Sequence, residues 1–312
     1  MFNKIIVPLD TSELSEIALP YAEEMAVKLG AELILMHVGT PADSMDKPLK
    51  HKNYIDKVTA RVERQLKKSV AKVKLSSRLL EMPSLIVNPA ADIIDFAESE
   101  KVDLIIMATH GRTGLSRWAL GSTANKVARA VKCPLFLIRA GAKKPARVSL
   151  ENILVTLDGS KPGEAVLPYI ENLAKRLQSR VTLLHVVELL YHVYPYSEGM
   201  GYYGSAGVVR VPYTEEEMQA SKDVAEKYIK DVNDKLASRG VKTGYKIMMG
   251  SPGEEIIKAE AKMRPDFVVM STHGHSGFGR WEHGSIADKV LHAGTTPLLL
   301  VRPQQPGKTK KT

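Results

Sequence analysis

Cysteine is nearly absent from this 312-residue chain, with Cys133 standing alone. One thiol excludes a disulfide framework within the chain and any cysteine-clustered zinc site. Aromatic residues are scarce at 6%, with two tryptophans, and no aromatic-basic interleaving or basic helix stripe draws a nucleic-acid-binding face. No apolar run approaches the ~18–20 residues that cross a bilayer. Met1-Phe2-Asn3-Lys4 leads straight into a strand-like segment rather than a secretory signal. The expectation is a cytoplasmic protein that engages neither membrane nor nucleic acid.

Acidic residues are the minority charge, 35 against 44 Lys and Arg, for a formal +9. Lys143, Lys144 and Arg147 in residues 140–148, and Lys308, Lys310 and Lys311 in residues 303–312, have no acid beside them. Without those six, the excess is +3, which suits solubility and weak attraction to anions.

What the chain has in quantity is itself. Residues 4–38 align with 152–186 at an offset of 148: Ile5, Val7, Leu9, Asp10, Ser12, Pro20, Tyr21 and His37 recur as Ile153, Val155, Leu157, Asp158, Ser160, Pro168, Tyr169 and His185. Residues 103–139 align with 266–302 at an offset of 163, so the second copy carries a net insertion of 15 residues. Copies of this size are domains rather than solenoid units. The expected organisation is a domain over 1–140, a linker over 141–148, a second domain over 149–303 and a basic tail over 304–312. The insertion, about Tyr191 to Tyr213, is rich in tyrosine and glycine. It reads equally as a lid, a partner-contact loop or a disordered segment.

Within each copy, short apolar runs alternate with amphipathic helices. In the first copy strands are expected at Lys4–Leu9, Glu32–Val38, within 74–87, Leu104–Ala108 and Leu135–Arg139. Helices are expected over Glu16–Leu29, capped by Ser12 and ended by Gly30, over roughly 54–72, over Asp92–Ser99 and over Gly121–Val131. The pattern predicts α/β domains, each a parallel sheet covered on both faces. Such doubly wound sheets bind ligands beyond the carboxyl ends of their strands, where the strand order reverses.

At the end of the fourth strand stand Thr109-His110-Gly111-x2-Gly114, six residues, then Gly121-Ser122-Thr123 opening a helix. The second copy keeps Thr272-His273-Gly274-x2-Gly277, six residues, then Gly284-Ser285-Ile286. Glycines there give the backbone positive φ and let a ligand approach, and a helix start offers N–H groups and a positive dipole end to an anion. The same residues also serve as plain turn formers; their repetition with intervening residues changed favours phosphate binding. Asp10 and Asp158 follow strand one and suit either an adenine or ribose hydrogen bond or a helix cap. His37, His185, His110 and His273 read as structural, hydrogen-bonded histidines, Cys133 as an inert buried residue, and the His273/His275 pair lacks the further ligands a metal needs. No catalytic residue and no metal ligand is assigned.

Val7-Pro8-Leu9-Asp10, Leu35-Met36-His37-Val38 and the Gly111-x2-Gly114-x6-Gly121-Ser122 signature resemble the universal stress protein family, in its ATP-binding subgroup, and both copies match. The resemblance implies two tandem five-stranded parallel-sheet domains of strand order 3-2-1-4-5, of the adenine-nucleotide alpha hydrolase-like kind. It also implies pairing through Leu135–Arg139 and Leu298–Arg302, an intramolecular pseudo-dimer, with further homo-oligomers open. Carried over by position, adenine contacts fall on Asp10 and Val38, with Pro8 and Gly111 near the ribose and Gly114, Gly121, Ser122 and Thr123 near the phosphates. In the second copy these are Asp158, Val186, Gly274, Gly277, Gly284, Ser285 and Ile286. Ala108 and Ser271 stand where the family has a further glycine. Thr156 replaces the proline, Ile286 removes a hydroxyl, and His283 replaces Leu120. Val87-Asn88-Pro89 lacks a glycine that the second copy keeps as Gly250.

The implied function is an ATP-binding, nucleotide-dependent regulator of stress response with slow or no hydrolysis, ATP bringing Mg²⁺ held by phosphates and water. A Gly-x4-Gly-Lys-Ser/Thr loop and a Ser-Gly-Gly-x-Asp-Ser turn are both missing. A weak ATPase or adenylyl-transferring enzyme using Asp10 or His110 remains open. So does a scaffold contacting partners through Trp118, Trp281 and the tyrosine-rich insertion.

Overall fold

A computed structural model describes residues 1–39, 50–69, 71–81, 88–109, 120–139, 147–188, 191–196, 207–274 and 284–303. The first half runs β1 (Lys4–Leu9), α1 (Leu19–Leu29), β2 (Glu32–Gly39), α2 (Lys50–Leu66), β3 (Leu75–Glu81), α3 (Pro89–Ser99), β4 (Leu104–Ala108), α4 (Ser122–Ala130) and β5 (Leu135–Ile138). The second runs β6 (Asn152–Thr156), α5 (Leu167–Leu177), β7 (Arg180–Val187), β8 (Tyr191–Tyr196), β9 (Gly207–Pro212), α6 (Glu215–Ser238), β10 (Lys242–Met249), α7 (Pro252–Met263), β11 (Phe267–Ser271), α8 (Ser285–Ala293) and β12 (Leu298–Val301).

Ten strands form one sheet in the order β10-β7-β6-β11-β12-β5-β4-β1-β2-β3. Each half is an all-parallel α/β unit of order 3-2-1-4-5, and β12 pairs with β5 antiparallel, Leu299 opposite Phe136. The central strands are buried throughout because helices cover both faces: β4 is Leu104-Ile105-Ile106-Met107-Ala108 and β11 is Phe267-Val268-Val269-Met270-Ser271. One layer of core joins α1, α2, α5 and α6; the other joins α3, α4, α7 and α8.

The junction is aromatic. Phe136 meets Phe267 edge to face at 5.3 Å and Tyr21 at 6.0 Å, while Phe2 meets Tyr169 at 5.9 Å. Arg139, buried, donates to the Val290 carbonyl at 2.8 Å, to that of Leu291, and to that of Thr296 at 3.1 Å. It thereby adds a charged donor at the C-terminal end of α8, where the Val290 carbonyl also accepts from the Gly294 amide at 2.9 Å. Burial lowers its pKa to about 10, against the opposing pull of Glu260. Among the described residues Arg302 answers with one bond, to the Arg129 carbonyl at 2.5 Å.

Two expectations need correction. Ser12 does not cap the first helix: α1 starts at Leu19 after a short 3-10 turn over Ser15–Ala18, and the Ser12 hydroxyl serves the preceding turn instead. The second helix is displaced toward the N-terminus, Lys50–Leu66 rather than 54–72, because His51 is a buried member of its apolar stripe with Ile55, Val58, Val62 and Leu66. The third strand occupies Leu75–Glu81; residues 82–87 lie outside the described residues. Within the insertion, β8 and β9 pair antiparallel as a sheet of their own, and residues 197–206 lie outside the described residues. Gly30 ends α1 in the left-handed region, φ 54, as its sequence position implies. No helix among the described residues is long and apolar enough to cross a membrane.

Candidate functional site

In the second half, β6 leads outward to β7 and β11 leads the other way to β12. Beyond the carboxyl ends of these strands lies a cleft of about 720 Å³, within the range of small-molecule sites. Its floor comes from the ends of β6, β7 and β11, one wall from α6, and the opposite end from the first turn of α8.

Asp158 anchors the floor. Its Oδ1 accepts from the Ser160 amide at 3.0 Å and the Ser160 hydroxyl at 2.7 Å. The carboxylate is wedged so closely that a Cβ on Gly163 would overlap Oδ1 and a Cβ on Gly274 would overlap Oδ2. Gly274 is thus needed for close approach, not for a left-handed backbone. Gly159, next to Asp158, does take positive φ, 85.

The helix start also differs from expectation. Gly284 and Gly121 are the N-caps of α8 and α4, with φ of −66 and −58. Such extended backbone is open to any residue, so positive φ is not their reason. Nor are the glycine amides available: Gly284 N–H donates to the Thr272 carbonyl at 2.7 Å and Gly121 N–H to that of Thr109 at 2.8 Å, tethering each helix to its strand. The donors facing the cleft are those of Ser285, Ile286 and Ala287, which have no acceptor within the helix. A glycine cap supplies no side chain to occupy them, and the dipole end adds positive potential.

Other residues singled out from the sequence fall as follows. Val186 lines the cleft with Asp158, Gly274, Gly284, Ser285 and Ile286. In the first half, Pro8 is buried in β1 opposite Met36, Val38 is half-buried near the end of β2, and Ser122 and Thr123 open α4. Asp10 Oδ1 accepts from the Ser12 amide at 3.1 Å and its hydroxyl at 2.6 Å. Gly111, Gly114 and Gly277, with His110, His275, Trp118, Trp281 and His283, lie outside the described residues.

The histidines at the ends of β2 and β7 repeat one contact: His37 Nδ1 meets the Leu9 carbonyl at 2.7 Å and His185 Nδ1 that of Leu157 at 2.9 Å. His273, also buried, bonds the Thr272 hydroxyl through Nδ1 at 2.9 Å. Tyr54 and Tyr228 stand edge-on to His37 and His185, each at 5.7 Å. Burial, reinforced by Glu16 and Glu164 respectively, pushes both phenols well above their ordinary value, so they remain protonated. Cys133 is pushed up to about 12 by burial and stays a thiol.

The sequence reading missed the α6 wall: Ser221, Val224, Ala225 and Tyr228. Their spacing of three and four was the available signal, one helical face pointing at the strand ends.

Two doubly wound parallel domains in one chain, with a ligand-sized cleft at the switch point of the second, define a tandem α/β protein with a candidate ligand site. The family model of the universal stress protein family matches residues 1–139 and 149–302, and the chain belongs to that family. It is 31% identical over 148 residues to the universal stress protein YxiE of Bacillus subtilis, covering 45% of this chain and 100% of that one. A universal stress protein of Mycolicibacterium smegmatis is 23% identical over 309 residues, 96% of this chain and 97% of its own, and so is similar across both halves. Among solved structures, a universal stress protein from Archaeoglobus fulgidus superposes with a TM-score of 0.64 at 19% identity, over 97% of this chain and 100% of that one. At such identity the likeness speaks for the fold.

Proposed function

We propose that this chain is a nucleotide-responsive regulator that binds an adenine nucleotide, with ATP the fullest fit to the cleft. The observation that carries the reading is the arrangement of the second cleft: an apolar floor for a base, Asp158 beside it, and uncapped helix amides at the far end for phosphates. In this reading the base lies against Val186 and Asp158, the ribose beside Gly274, and the phosphates at Ser285 and Ile286. Asp10, Val38, Gly111, Gly114, Gly121, Ser122 and Thr123 hold the matching places in the first half. Mg²⁺ would arrive with the nucleotide, held by phosphate oxygens and water, since Oδ1 of Asp158 is already occupied by Ser160.

The chain's own groups bind and orient. Helix amides neutralise phosphate charge at fixed positions, and the protonated Tyr228 keeps the α6 wall neutral. Hydrolysis is expected to be slow or absent. Occupancy acts by stabilising the bound arrangement of the second half, which the junction through Phe136 and Arg139 carries to its neighbour. The two units, 1–140 and 149–303, function as an intramolecular pair in the cytoplasm.

Thermal unfolding across an ATP series tests this directly. Ligand at 100 times Kd stabilises by about 2.7 kcal/mol, so the transition should move upward by several degrees with phosphate release near background. An unmoved transition at millimolar ATP, ADP and AMP would overturn the reading.

A further inference from the structure

The buried faces of α2 and α6 superpose residue for residue: Tyr54 on Tyr228, Ile55 on Ile229, Val58 on Val232 and Val62 on Leu236. One turn earlier the match breaks, with His51 in the first half and Ala225 in the second. A complementary change sits at the strand end, Gly39 against Val187.

The consequence is local and concrete. The His51 ring lies over Gly39, its Cδ2 3.5 Å from where a Cβ of that glycine would stand. Its Nδ1 lies 2.6 Å from His37 Nε2, with the rings stacked at 4.8 Å. His37 is 0% exposed and His51 2%. In the second half, where Ala225 ends at a methyl group, His185 is partly exposed and lines the cleft.

For two neutral rings the contacts leave one arrangement of the protons. The Leu9 carbonyl only accepts, so His37 carries its proton on Nδ1 and accepts at Nε2 from the Nδ1–H of His51. His51 Nε2 is then a buried lone pair with no partner among the described residues. Filling space alone is achieved in the second half by Val187 and Ala225 without any such orphan, and an unsatisfied buried acceptor calls for a reason.

We infer that His51 closes the first cleft over His37 at the base-binding end, so the chain takes one adenine nucleotide, in the second half. This rests on the reading of the second cleft given above. The first half then serves as the fixed arm against which the second responds.

The test uses the full-length chain and two exchanges of residues between halves. Calorimetric titration with ATP should give one equivalent per chain. Val187→Gly with Ala225→His, which copies the first half into the second, should weaken that binding at least about tenfold. Gly39→Val with His51→Ala should raise the stoichiometry toward two. Two equivalents in the unaltered chain, or one equivalent insensitive to the second-half exchange, overturns the inference.

Closure is also read without ligand. With diethyl pyrocarbonate and peptide mapping, His185 should react about tenfold faster than His37, and His51→Ala alone should remove the protection of His37. Equal rates in the unaltered chain overturn the closure even if nucleotide binds. No binding of any adenine nucleotide strikes the ligand reading, and the labelling result then decides the closure by itself. Circular dichroism of each variant confirms that it is folded before either readout is taken.

Discussion

The two halves share the same five-stranded order and differ in side-chain volume around the cleft. Thr11 becomes Gly159, Ser15 becomes Gly163 and His51 becomes Ala225, so the second half is smaller at three places about its aspartate and histidine. Thr11 takes φ 71, a left-handed backbone that a β-branched residue adopts at a cost, where Gly159 takes φ 85 freely. Ser15 is buried and its hydroxyl accepts from the Asp10 amide at 3.3 Å; the absent side chain at Gly163 lets the Asp158 carboxylate in. Duplication preserved what the buried strands require and left the loop ends to diverge. The lesson is that side-chain volume at a few positions, rather than any change of fold, separates a crowded site from an open one.

The largest expected effect concerns how the halves hold each other. Removing Arg139 by Arg139→Ala takes the charged donor from the Leu291 and Thr296 carbonyls, leaves Val290 only its Gly294 bond, deprives buried Glu260 of its neighbouring positive charge, and should cost roughly 3–5 kcal/mol. Arg302→Ala removes one exposed-side bond and should cost about 1 kcal/mol. Urea unfolding of both variants measures the contrast, and equal losses would mean that the junction is symmetric after all.

Next in size is Gly274→Ala, whose added methyl overlaps Asp158. It should destabilise by about 1–3 kcal/mol and abolish the upward shift of the melting transition with ATP. A variant melting normally with its ATP shift intact would show that Asp158 can move aside without consequence.

The smallest effect separates the two turns. Thr11→Gly should stabilise by about 0.5–1 kcal/mol as strain is released against added chain entropy, and Gly159→Ala should destabilise by about 1 kcal/mol. Chemical denaturation resolves both signs, and a destabilising Thr11→Gly together with a neutral Gly159→Ala would mean the turns tolerate side chains alike.

The sheet was legible because burial on both faces forces continuous apolar runs; Leu104–Ala108 is read correctly to the residue. Asp10, Asp158 and the Gly-Ser helix starts also announced themselves by repetition. The causes of the misses are physical. His51 reads as polar surface between Lys50 and Lys52, and only its bond to His37, across a loop, makes it core. Ala225 carries no chemical mark at all, since its contribution is the space it leaves. Gly274 reads in the sequence as a glycine for positive φ or ligand approach, whereas a neighbouring carboxylate, invisible in sequence, excludes a side chain there. The hairpin of β8 and β9 hid in a tyrosine-rich stretch whose pairing depends on register rather than composition.

The antiparallel seam between β5 and β12 has a spatial outcome. Strands in each half run parallel, so reversing direction at the middle sends their carboxyl ends toward opposite rims of one continuous sheet. A flat macromolecule docking on one rim therefore reads one cleft and is blind to the other. Whatever passes between the rims has to travel lengthwise through the sheet and across the edge-to-face rings at its centre.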